Sequence, residues 1–118
     1  MNPRYIDING QKIRIEFNWN TVIEFLDRCG INLNEFIELS SGNKITPRHI
    51  RQLAWSGAIE GERIEGRELQ YDEVQFGALL YPAQINQVMQ IFSEQFAGVV
   101  SEKKKKGKIP LVNFRIFR

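Results

Sequence analysis

Residues 5–17, YIDINGQKIRIEF, alternate apolar and polar positions on both sides of Asn9-Gly10. In the first arm Tyr5, Asp7 and Asn9 fall on one side, Ile6 and Ile8 on the other; in the second arm Ile13, Ile15 and Phe17 share a side. Asn-Gly supplies the two positive-φ positions of a tight turn, so the pattern predicts a β-hairpin over residues 4–17. A lone hairpin is barely stable in water, and its apolar side is expected to rest on helices.

From about residue 20 the period changes to that of helices. Thr21 and Glu24 have capping-box spacing, Val22, Phe25, Leu26 and Cys29 form a stripe, and Gly30 supplies a stop. Asn32 with Glu35 opens a short helix carrying Leu33, Phe36, Ile37 and Leu39; residues 40–43, SSGN, read as a loop. Thr46-Pro47 starts a helix with Ile50, Leu53, Ala54 and Trp55. Residues 60–69, EGERIEGREL, surround each isolated Ile or Leu with charge and glycine and read as an exposed, mobile connection. Asp72 caps a helix with Val74, Phe76, Leu79 and Leu80, which Pro82 ends or kinks. Between Ala83 and Ser101 the positions Ile85, Val88, Met89, Phe92, Phe96, Val99 and Val100 recur at three and four residues, the clearest helical stripe in the chain. The fold class that follows is α+β and mostly helical, a hairpin packed on four or five helices, in one compact domain over residues 1–101.

Composition alters this picture at one place. Residues 1–101 carry nine Lys+Arg against thirteen Asp+Glu, a net charge of −4, whereas residues 102–118 carry seven against one, a net of +6. Four consecutive lysines, Lys103 to Lys106, repel one another, so residues 102–108 are expected to be an open, flexible linker. Beyond it, Val112, Phe114 and Ile116 fall on one side of an extended segment, with Asn113 and Arg115 on the other. Such a strand can augment a sheet edge in the same protein, a second copy or a client, and a basic tail on an acidic body suits self-association. No apolar run approaches the roughly 18 residues of a membrane span, and the first ten residues lack a signal-peptide pattern. With one cysteine the expectation is a cytoplasmic protein without membrane contact.

Reactive groups are few. Cys29 lies on an apolar stripe and is expected to be an inert buried thiol; His49 sits in a first helical turn between Arg48 and Arg51 and is expected at the surface. No His or Cys pair has zinc spacing, and the glycines at 61 and 66 stand among acids that would repel phosphate. The carboxylate pairs Glu60/Glu62, Glu65/Glu68 and Asp72/Glu73 are expected to be solvated. Neither an enzyme nor a cofactor is indicated. The aromatic content, eight Phe, three Tyr and two Trp, exceeds what the stripes demand. Trp19 and Trp55 are therefore candidate anchors for a protein partner, together with Leu111, Val112, Phe114, Ile116 and Phe117 of the tail. Their competing roles are structural: Trp19 stapling the first helix, Trp55 covering the hairpin.

The order of these features resembles a known family. IDINGQKIRIEF passes directly into NTVIEFLDRCGINLNEF; RQLAWSGAIEG and LQYDEVQFGALL follow, then an amphipathic closing helix. Over about residues 5–100 this is similar to the tail tube assembly chaperones of long-tailed bacteriophages and prophages. Phe17–Gly30 and Leu53–Gly57 are the most telling portions. The resemblance implies a non-enzymatic role: holding tail tube or tape measure protein soluble in the bacterial host until the tail assembles, and absence from the finished virion. It also implies a programmed ribosomal frameshift near the gene's end. Lysine codons are A-rich, so Lys103–Lys106 is the expected position of the slippery site. A competing class is a small nucleic-acid-binding protein, with Arg48, His49, Arg51 and Gln52 of the Thr46 helix facing a groove and the lysines assisting. The acids at 60, 62, 65 and 68 oppose that reading. A generic protein-interaction adaptor is the third.

Overall fold

The computed structural model describes residues 2–41 and 44–107. The fold is α+β and mostly helical: a two-stranded antiparallel hairpin, β1 (Arg4–Ile8) and β2 (Gln11–Ile15), followed by five helices among the described residues. These are α1 (Trp19–Cys29), α2 (Leu33–Ser41), α3 (Pro47–Ile64), α4 (Glu73–Ala78) and α5 (Pro82–Gly107).

The hairpin forms as its pattern predicts. Asn9 and Gly10 both take positive φ, at 56° and 81°, and the Asp7 carboxylate accepts from the Gly10 amide. With Ile6 opposite Ile13, the isoleucines 6, 8, 13 and 15 all face inward and are buried. They join one core with Phe17, Val22 and Phe25 of the α1 region, Phe36 of α2, Leu53, Ala54 and Ala58 of α3, Phe76 of α4, and Val88, Ile91, Phe92 and Phe96 of α5. Phe92 lies at its centre, edge-on to Phe17 and stacked on Phe96 at 5.0 Å. Both hairpin edges are engaged. The Glu16 amide donates to the Gly57 carbonyl of α3, and Gln84 Nε2 of α5 donates to the Asp7 carbonyl.

Local capping follows the sequence at three helices and departs at one. Asn32 and Glu35 exchange side chain and backbone bonds, Thr46 caps α3 with Pro47 behind it, and Asp72 caps α4. At α1 the N-cap is Asn18, not Thr21, whose hydroxyl instead accepts from the Asn18 amide and donates to the Glu16 carbonyl. Asn is as good a cap as Ser or Thr, and the cap at 18 starts the helix a turn earlier, bringing Trp19 inside it. Pro82 opens α5, where its missing N–H is harmless, and α4 has already ended at Ala78.

Two larger departures concern charged segments. α3 does not stop before EGERIEGREL but runs through it to Ile64. At the other end, the α5 backbone stays helical through Lys103, Lys104, Lys105 and Lys106, where a linker was expected. Lysine has good intrinsic helix propensity, and cations near a helix C-terminus meet the negative end of its dipole, which offsets their mutual repulsion. Leu111, Val112, Phe114, Ile116 and Phe117 lie outside the described residues.

Candidate partner-binding site

The charged stretch at the end of α3 holds the fold together. Gly61 faces β2 so closely that a Cβ there would overlap the Arg14 carbonyl, which lets strand and helix meet backbone to backbone. The acids beside it are consequently buried, not solvated, with Glu60 4% and Glu62 2% exposed. A buried carboxylate is tolerated only with partners, and each has them. Glu60 accepts from Arg63 through two bonds of 2.9 Å, from Asn18 Nδ2 at 2.7 Å and from Asn20 Nδ2 at 3.1 Å. The Arg63 bonds, helped by the two asparagines against the cost of burial, hold its pKa down at about 2. Glu62 is clasped by Arg67 at 3.0 and 2.8 Å. Glu65 accepts from the Tyr5 hydroxyl at 2.8 Å and from Arg14 at 3.0 Å, and these two bonds lower its pKa.

The other reactive side chains are similarly engaged. His49 is the N3 residue of α3, its Nδ1 bonded to the Thr46 amide at 3.0 Å and its ring edge-on to Phe25. The Cys29 thiol donates to Gln52 Oε1, and burial, followed by the charge of Glu73, pushes its pKa up. Arg51 pairs with Glu73 at 2.9 Å. Of the four residues assigned to a nucleic-acid groove, three are thus turned into the fold. Among the described residues no three His, Cys, Asp or Glu side chains converge as a metal set.

Apolar surface is a different matter. Trp19 and Ile23, one helical turn apart on the outer side of α1, are 53% and 55% exposed. Next to Ile23 runs an open groove of about 350 Å³ between α1 and α3, lined by Asn20, Ile23, Glu24, Ser56, Ile59, Glu60 and Arg63. Ser56 is only 1% exposed, and its hydroxyl is buried without a hydrogen-bond partner among the described residues. Small Ser56 lets α1 approach α3; the groove is what remains between their larger neighbours. A second groove, of about 380 Å³, lies between α3, α4 and the start of α5, with Arg48, Ile50, Leu80 and Ile85 in its walls.

The sequence candidates separate on this map. Trp19 is exposed at the groove's end of α1. Trp55 is not a surface anchor: it is 8% exposed, its Nε1 donates to the Tyr71 carbonyl at 3.0 Å, and the Arg28 guanidinium lies 4.2 Å above its ring. It covers the junction of α3 with the chain leading to α4. Ile23 was missed, although it stands off the α1 stripe at four residues from Trp19, the spacing of neighbours on one helix side. Compared with protein-family models, curated proteins and solved structures, the chain matches none of them.

Proposed function

We propose that this chain is a non-enzymatic assembly chaperone of phage tails, which holds tail tube or tape measure protein soluble in the host cell by covering its apolar surfaces. The observation that carries the reading is the exposed Trp19–Ile23 pair beside the α1–α3 groove, on a domain whose His, Cys and buried Glu side chains are committed to caps and ion pairs. Tube subunits carry unpaired strand edges and apolar surface that polymerise early unless covered. Tryptophan in a partly apolar recess is the side chain that most often dominates such contacts. The order of sequence motifs supplies the client's class.

The test is co-expression with a tail tube protein and with a tape measure protein, followed by co-purification at moderate salt. Retention of either client is expected, and Trp19→Ala is expected to weaken it at least about 30-fold, the effect of truncating a hot spot of 2 kcal/mol. Turnover of a substrate by the purified chain, or tight binding of duplex DNA with neither client retained, would overturn the reading. The gene itself provides a second check: a tube gene upstream, a tape measure gene downstream, and an A-rich heptamer over the codons of Lys103–Lys106.

A further inference from the structure

We infer that residues 108–118 of this chain, KIPLVNFRIFR, dock in the groove between α1 and α3 of the same molecule and cover Trp19 and Ile23. Three observations converge on this occupant. The first is chemical fit. The groove offers Ile23 and Ile59 as apolar wall, and α1 carries Asp27 four residues beyond Ile23, a carboxylate with no ion pair among the described residues. The other charges at the rim cancel locally, Arg63 with Glu60 and Arg28 with Glu24. Residues 108–118 bring Leu111, Val112, Phe114, Ile116 and Phe117 together with three cations and no acid, onto a body whose first 101 residues are net negative.

The second is spacing. Trp19, Ile23 and Asp27 follow one another at four-residue steps, about 6 Å apart along the axis. Alternate residues of an extended chain repeat at about 6.6 Å. Val112, Phe114 and Ile116 therefore match the ridge of α1 nearly side chain for side chain, with an arginine near the Asp27 end. Ser56, buried with its hydroxyl unpartnered, leaves a hydrogen-bonding group at the groove that an extended backbone can satisfy.

The third is reach. Gln95 of α5 accepts from the Phe17 amide at 2.7 Å, and the next residue, Asn18, bonds Glu60 in the groove wall. From Gln95 to Gly107 the helix advances about 18 Å, while eleven extended residues span about 36 Å, enough to return to the groove. The docked segment occupies the surface assigned above to the client, so client and tail exclude each other. The docking itself needs no client and stands or falls separately.

The experiment uses the full chain carrying Cys29→Ala and Asn113→Cys, with a nitroxide on the new cysteine and isotope-labelled isoleucine methyls. Loss of the Ile23 and Ile59 methyl signals, with those of Ile50 and Ile85 retained, is expected. Loss at Ile50 and Ile85 instead, or at none of them, overturns the proposal. Mixing nitroxide-bearing unlabelled chains with isotope-labelled unmodified chains separates the sources: signal loss in the mixture places the segment on a second copy and also overturns it. A readout without the cysteine changes is Phe114→Glu, which leaves the described core untouched. It is expected to shift the Ile23 and Ile59 methyl resonances, and unchanged resonances count against docking.

Discussion

Replacing Gly61 by alanine places a methyl carbon on the Arg14 carbonyl. The substitution gains about 1 kcal/mol of helix propensity, but β2 and α3 cannot keep their spacing. The clash is with backbone, which cannot rotate away, so the net loss is expected to be about 3 kcal/mol, read as a lowered urea midpoint with an unchanged slope. Trp55→Phe tests a different contact. It removes the indole N–H from the Tyr71 carbonyl and weakens the Arg28 stack, and about 1–2 kcal/mol of stability is expected to go with them. Trp19→Ala, by contrast, is expected to change stability by less than about 0.5 kcal/mol, because an exposed side chain away from the core has little to lose on truncation. The two tryptophans look alike in sequence. What separates them is the neighbour each meets, Tyr71 sixteen residues away for one and solvent for the other, and no local pattern encodes that.

Among the elements, those fixed by local chemistry were legible. The Asn9-Gly10 turn, the caps at Asn32, Thr46 and Asp72, and the α5 stripe are short-range signals, and the structure carries each one. EGERIEGREL was misread because its meaning lies in another element. Gly61 answers to β2, Glu60 to the α1 cap, and Glu65 to β1 and β2, contacts spanning about 40 to 60 residues. Glycine and charge that would break an isolated helix are stable here because strand and arginines complete them. Asn18 joins the two levels, since its side-chain oxygen caps α1 while its Nδ2 donates to Glu60. Asn18→Ala is therefore expected to cost more than the usual cap loss of about 1 kcal/mol, reaching about 2. Asn18→Asp keeps the cap but sets a second carboxylate against Glu60. Thermal unfolding of the pair apportions the two roles.

At the scale of the molecule, hairpin, α1 and the end of α3 are fastened by ionised carboxylates, and this gives stability a definite pH dependence. Glu60 titrates at about 2 in the folded chain against 4.5 ordinarily, and Glu65 is also lowered. A depressed folded pKa means that the unfolded chain binds the proton more readily. The contribution is therefore full above about pH 5 and drains away as pH falls towards 2. Denaturant titrations across that range are expected to show falling stability, and a shallower fall for Glu60→Gln, which can no longer take up that proton. The candidate surface was only half legible because exposure is a property of the whole molecule: Trp19 could be named in advance, but the recess beside it exists only once α1 has crossed α3. One more consequence follows from Gln84 and Glu94 of α5 bonding Asp7 and Arg4 of β1. The first segment synthesised is completed by the last helix to leave the ribosome. Until α5 emerges, the nascent hairpin keeps its isoleucines without their final cover, so this protein finishes folding only after translation has passed its closing helix, and a message cut short before Pro82 yields a product that itself requires guarding.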